Sequence, residues 1–440
     1  MSLKKNNTRH IGVWTASAFV ISSMIGTGVF TSLGYQLVDI NTAFPILLLW
    51  LIGGIISLFG AFSYSELASI FPRSGGEYNF LTEIYHPSAG FISGWISATI
   101  GFSAPTALAA ITFSTYLLTI FPEINNDWLR KIIACSLVII LAFIHSSNRK
   151  SSGGLQMIFT VMKVGVIILF CFGAILFAKN IQPVSFSPSS NDISTIFSGS
   201  FAVSLIYVSY AYTGWNAATY LSSEIERPQK YLPLILISGT TIVTVLYILL
   251  NFVFLSVAPI EDMQGKIEIG FIAAQSAFGG SVANFTGLVL SLLLISTVSA
   301  MTLAGPRVLQ VIGEDFKVLN ILSRKRKDGI PSTAIYIQSL IAIIFILSSS
   351  FESILVFAGF TLALNSFVTV IAVFVLRSKQ PNLPRPYKTF GYPFTPLIYL
   401  ALTGWTLYFV IINRPIEVLF SLGIILSGLI FYYISNRKNY

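Results

Sequence analysis

The chain has 440 residues, of which 54% are hydrophobic and only 10% charged, with a mean hydropathy of +0.79. That balance excludes a soluble globular protein, in which roughly a quarter of residues carry charge. The net charge of +9 does not point to a nucleic acid, because the basic residues gather in short connections between apolar runs, where they report membrane topology.

Runs apolar enough to cross a bilayer as helices cover residues 11–34, 43–71, 90–120, 130–147, 153–179, 197–221, 231–257, 281–304, 332–350, 353–377, 395–413 and 415–434. They predict an all-α membrane protein with about twelve transmembrane helices and no soluble domain. Barrel strands would show short segments of alternating polarity, which these runs do not. The first run is too long for a signal peptide and carries the most telling motif of the chain.

That motif is Ser22-Ser23-Met24-Ile25-Gly26-Thr27-Gly28. Two glycines beside a threonine weaken a helix, and irregular backbone at membrane depth is tolerated only where it lines a cavity. A break here would free the amides of residues 24 to 28 at the start of a half-helix, where the dipole favours an anion such as a carboxylate. The competing reading is that small glycines let helices approach closely.

Further along, Glu66 sits near the end of the second run and reads as a gating or anchoring residue. Lys163 lies about ten residues from either end of the fifth run, roughly 15 Å from the headgroups, too deep to snorkel. A buried ammonium needs partners and marks a functional-site hypothesis. The sixth run is interrupted at Ser209-Tyr210-Ala211-Tyr212-Thr213-Gly214-Trp215-Asn216. Carbonyls freed at Tyr210, Ala211 and Thr213 would accept from an ammonium group, so paired breaks describe a pocket for a zwitterionic amino acid. Residues 258–280 form a connection long enough to cover an entrance, and residues 305–331 read as the longest connection on the N-terminal side.

Cys135 and Cys171 lie in apolar runs and offer no metal spacing or disulfide framework. His10, His86 and His145 map to ends of runs. No metal site, cofactor motif or catalytic constellation is visible. Most of the 26 Lys and Arg fall on the side of the N-terminus, among them Lys4, Lys5, Arg9, Arg149, Lys150 and the run Arg324 to Lys327. Arg130, Lys131, Lys179, Lys266 and Arg414 lie opposite. The bias predicts a multi-pass protein with both termini in the cytoplasm.

Four motifs in order carry a resemblance. They are Ser23-Met24-Ile25-Gly26-Thr27-Gly28-Val29-Phe30; Ser63-Tyr64-Ser65-Glu66-Leu67 with Phe71-Pro72-Arg73-Ser74-Gly75-Gly76-Glu77-Tyr78; Thr213-Gly214-Trp215-Asn216 with Glu224-Ile225-Glu226-Arg227-Pro228; and the stretch from Leu383 to Pro393. With them the chain resembles the amino acid-polyamine-organocation superfamily of secondary transporters, close to the L-amino-acid transporter branch. The resemblance implies a LeuT-type fold in a single transporter domain over 1–440: inverted repeats at 11–179 and 197–377, broken helices 1 and 6, and two additional helices at 395–434. It places a substrate carboxylate on Met24, Ile25, Gly26, Thr27 and Gly28, the amine on Tyr210, Ala211 and Thr213, and an aromatic gate at Tyr210. It also puts the Lys163 ammonium where sodium-coupled members hold a sodium ion, with Ser296, Thr297 and above all Ser299 as neighbours. Relatives that pair with a heavy-chain glycoprotein carry a cysteine in the loop at residues 121–130; this chain has none there, so no disulfide-linked heavy chain is expected.

The sequence thus predicts sodium-independent amino acid transport across the plasma membrane by alternating access, as an exchanger or proton-coupled symporter. The alternatives are a polyamine or organocation carrier, which would need an acidic residue in the pocket, and a membrane enzyme or non-transporting receptor. The expected partners are the amino acid and the lipid bilayer, with no cofactor and no nucleic acid.

Overall fold

A computed structural model describes residues 11–147, 153–178, 181–316, 319–326 and 330–437. Lys4, Lys5, Arg9, His10, Arg149, Lys150, Lys179 and Lys327, which enter the sequence argument, lie outside them. Among the described residues the regular elements are helices, and the single bridge joins Ile11 to Ile225.

The first apolar run folds as two half-helices, α1 (Val13–Met24) and α2 (Thr27–Asp39), followed by α3 (Ala43–Ile70). After α3 the chain turns through Gly75 and Gly76 into the short α4 (Glu77–Ile84). The third span starts at Pro87, which needs no helical amide partner at that position, and runs as α5 (Pro87–Ile96), a π turn at Ser97–Gly101 and α6 (Ser103–Leu118). Next come α7 (Asp127–Ser147), α8 (Gly153–Phe177) and the short α9 (Asp192–Ile196). The sixth run is α10 (Gly199–Ala211), capped by Ser198 Oγ on the Phe201 amide at 3.2 Å, then an irregular turn and a 3-10 segment at Ala217–Glu224. The remainder is α11 (Pro228–Val257), α12 (Ile260–Met263), α13 (Ile269–Phe278), α14 (Gly280–Asp315), α15 (Asn320–Ser323), α16 (Ser332–Ser348), α17 (Phe351–Lys379), α18 (Phe394–Asn413) and α19 (Pro415–Arg437).

Ten of these helices or helix pairs are long and apolar enough to cross a membrane among the described residues, and α10, α13 and α16 are shorter apolar helices. The exterior agrees: Leu169, Phe172 and Leu176 on α8, and Leu419 and Phe420 on α19, point outward unburied. Apolar side chains displayed along whole helices suit acyl chains and not water.

Two expected loops are ordered helix. The helix α14 continues through Pro306 to Asp315, eleven residues past the end of the expected span. A proline costs a helix one amide bond and a steric clash but does not oblige it to stop. Residues 258–280 fold into α12 and α13 and seal the far end of α2, where the Gly265 amide donates to the Gly34 carbonyl at 2.8 Å and Gln264 Nε2 to the Leu37 carbonyl at 2.9 Å.

Two sets of helices pack within themselves. One comprises α1, α3, α11 and the 3-10 segment; the other comprises α6, α7, α14 and α16. Between them runs α8, which touches α1, α11 and α14.

Candidate functional site

The first break is brief. Ile25 keeps its amide on the Ile21 carbonyl at 2.9 Å but is already extended at φ −73° and ψ 90°, Gly26 follows at φ −137° and ψ −143°, and α2 resumes at Thr27. The amides released at a helix start therefore begin at Gly26 and not at Met24, a correction to the expected range. Ile25 itself is fully buried in the core and does not line the cavity.

The second break satisfies much of its own backbone. The Tyr210 carbonyl accepts from the Thr213 amide at 2.9 Å and the Thr213 hydroxyl at 2.7 Å. The Ala211 carbonyl lies 3.1 Å from the Tyr247 hydroxyl, which also reaches the Met24 carbonyl at 2.6 Å. Of the three expected acceptors, Thr213 alone keeps its carbonyl clear of such bonds among the described residues. Both neighbours were free on the sequence reading because turn closure and a tyrosine from a distant helix cannot be seen locally.

The two breaks lean on each other. Gly214 sits at φ +99°, and a Cβ there would fall 2.8 Å from the Ser23 backbone; a Cβ on Gly28 would fall 2.4 Å from Ala211 Cα. At Gly28 close helix approach accounts for the glycine, whereas at Gly26 the nearest atom, Thr297 Cγ2, is 3.5 Å away. Behind them Trp50, Tyr212 and Tyr247 interlock, with Tyr212 Oη donating to the Trp50 carbonyl at 3.0 Å.

A cavity of about 940 Å³ has Met24, Gly26, Thr27, Gly28, Tyr210, Ala211 and Thr213 in its wall. Its wall also includes Ser74, Ser223, Arg307 and Lys325, in or beside the connections on the side of Ile11. Across the opposite face Tyr35 stacks on Phe351 with ring centroids 5.8 Å apart, Tyr207 Oη donates to Glu352 at 2.7 Å, and Arg414 pairs with the same carboxylate.

Lys163 is 4% exposed and donates to the Ser22 carbonyl at 3.3 Å and to Thr297 Oγ1 at 3.0 Å. It thus joins α1 to α14. The favoured neighbour was Ser299, and there the structure differs: Ser299 Oγ pairs with His145 Nε2 at 2.8 Å, and Ser296 Oγ turns back on the Leu293 carbonyl at 2.6 Å. Two positions along a helix are about 200° apart around it, so Thr297 and Ser299 face different helices. His145, set aside as a span end, lines the cavity.

Glu66 stands apart from the cavity. Its carboxylate accepts from Arg377 at 2.9 and 2.6 Å and from the Thr389 amide and hydroxyl at 2.7 Å each, while Arg385 Nε stands 3.3 Å away as an ion pair without a hydrogen bond. It ties α3 to α17 and to the connection before α18. Sequence reasoning passed over Glu77, whose carboxylate lines the cavity, and gave Asn216 no role. Among the described residues no group of three or more His, Cys, Asp or Glu could hold a metal.

A family profile described as amino acid permease matches residues 11–433. The b(0,+)-type amino acid transporter 1 of Mus musculus is 27% identical over 97% of this chain and 88% of its own length. The large neutral amino acids transporter small subunit 2 is 26% identical in both Mus musculus and Homo sapiens, over 97% of this chain and 81% and 80% of the relatives.

Proposed function

We propose, for a chain that belongs to the amino acid permease family, sodium-independent transport by alternating access with the bound amino acid bridging the two breaks. The protein is an amino acid transporter and not an enzyme. The names of its relatives speak of amino acids and, in one case, of large neutral ones, which supports a zwitterionic substrate over a polyamine.

One observation carries the reading: the two broken helices meet in the wall of one cavity of about 940 Å³. Amides at the start of α2 offer hydrogen bonds and the positive end of a helix dipole to a carboxylate. The Thr213 carbonyl offers an acceptor to the ammonium, and Tyr210 stands beside it as an aromatic gate. Rocking the group of α1, α3, α11 and the 3-10 segment against that of α6, α7, α14 and α16 would open the cavity to each side in turn.

Lys163 supplies the sodium independence. Its ammonium joins the two groups through a carbonyl and a hydroxyl, the kind of oxygen ligands that would otherwise hold a cation. We place the protein in the plasma membrane with both termini in the cytoplasm, the cavity inward-facing, the repeats at 11–179 and 197–377, and no disulfide-linked heavy chain.

The test is uptake of labelled amino acids into sodium-free proteoliposomes. Uptake should proceed without sodium, fall strongly in Lys163→Ala, and not be competed by an amino acid methyl ester. A sodium requirement, or full uptake by Lys163→Ala, would remove Lys163 from the mechanism; equal competition by the ester would remove the carboxylate site.

A further inference from the structure

Glu77 is the first residue of α4, between the second and third spans, and is 2% exposed. Its carboxylate accepts from Tyr64 Oη at 3.0 Å, Asn216 Nδ2 at 2.5 Å and Tyr220 Oη at 2.6 Å. All three donors are neutral. Among the described residues no ion pair reaches it, although a buried charge is ordinarily paired with a cation.

The surrounding charges are engaged elsewhere. Tyr78, next along α4, meets Asp315, which pairs with Arg73. From α17, Arg377 is bound to Glu66 and Lys379 Nζ caps the Ile84 carbonyl at 3.2 Å. His86, at the start of α5, caps its own helix through Ser88. From α18 the titratable group that faces the cluster is Tyr399, which is buried.

The position of the cluster matters as much as its charge. Glu77 is carried by α4, which packs on α5 and α17, while its donors come from α3, the second break and the 3-10 segment. Movement of the second break relative to α4 would therefore withdraw Asn216 and Tyr220 together. Glu77, Asn216 and Tyr220 all line the same cavity as the two breaks, so the carboxylate borders the space a substrate would enter.

We propose that Glu77 is a proton-binding site of this transporter, ionised while Asn216 and Tyr220 donate to it and protonated when the second break moves away. One proton passes from solvent in the cavity to a carboxylate oxygen and returns to solvent later in the cycle. No bond between heavy atoms changes. A proton thereby becomes a co-substrate, which takes the transport reading above one step further and rests on it. Burial raises the Glu77 carboxyl above its ordinary 4.5, against the lowering pull of Tyr220, Tyr64 and Asn216.

Two measurements on the full-length protein test this. The first is thermal unfolding of wild type and Glu77→Gln without substrate, between pH 4 and 8. A raised carboxyl stabilises the folded protein below 4.5 and loses that contribution as pH rises through the raised value. The wild-type midpoint should therefore fall relative to Glu77→Gln with rising pH, and parallel curves would overturn the proposal. The second is proteoliposome uptake driven by an inward proton gradient, which wild type should show and Glu77→Gln should lose while counterflow at equal pH persists. An equal response to the gradient in both would overturn it as well. If wild type moved no amino acid under the gradient or in counterflow, the transport reading would fail, and the unfolding curves would still decide whether Glu77 titrates.

Discussion

Glu66 and Glu77 stand on either side of one turn, and both are buried, at 0% and 2% exposure. Their company differs. Glu66 is held by two arginines and by an amide and hydroxyl of the same threonine, whereas Glu77 is held by two phenols and a carboxamide. An arginine stays protonated throughout, so the Glu66 cluster is locked in one charge state and serves as a fixed joint between α3, α17 and the segment before α18. Neutral donors leave the charge of Glu77 free to change. The same side chain is an anchor in one setting and a switch in the other.

The largest effect that could break this comparison is on stability. Glu66→Ala leaves Arg377 and Arg385 without their counter-charge and should cost about 3–5 kcal/mol, read as a collapse of the melting temperature in detergent; a loss below about 1 kcal/mol, the scale of an exposed pair, would make Glu66 no anchor. Glu77→Ala strands three donors but no cation, so its cost should be smaller, about 1–3 kcal/mol. An equal or greater loss than for Glu66→Ala would erase the distinction. Tyr220→Phe removes one donor to the ionised form, at about 1 kcal/mol, and leaves burial less opposed. The pH profile of uptake should then move to higher pH, and a move to lower pH would reverse the assigned sign. Smallest is Thr389→Val, which removes the hydroxyl but spares the amide on Glu66; about 0.5 kcal/mol and an unchanged pH profile are expected.

What could be read from the sequence follows a physical line. The first break was legible because glycine weakens a helix locally, and Lys163 because a charge in the middle of an apolar run has no local remedy. The partner of Lys163 was not, because choosing Thr297 over Ser299 requires the rotation of α14 about its axis, which tertiary packing sets. The extension of α14 past Pro306 was hidden for a similar reason: proline signals an end from local sterics, while the contact of Tyr78 with Asp315 that accompanies the extra turns is 237 residues apart in sequence. Tyr247, Trp50 and Glu77 drew no attention because a tyrosine or tryptophan in an apolar run, or a glutamate in a turn, is ordinary until its neighbours are known.

Tyr247 has a further consequence. Its phenol carries one hydrogen and stands within reach of two carbonyls, Met24 on the first break and Ala211 on the second. One hydrogen serves one acceptor well at a time, so the two breaks share a single donor and compete for it. A shift of either break therefore changes the hydrogen bonding of both, and the phenol ties the geometry of one to that of the other.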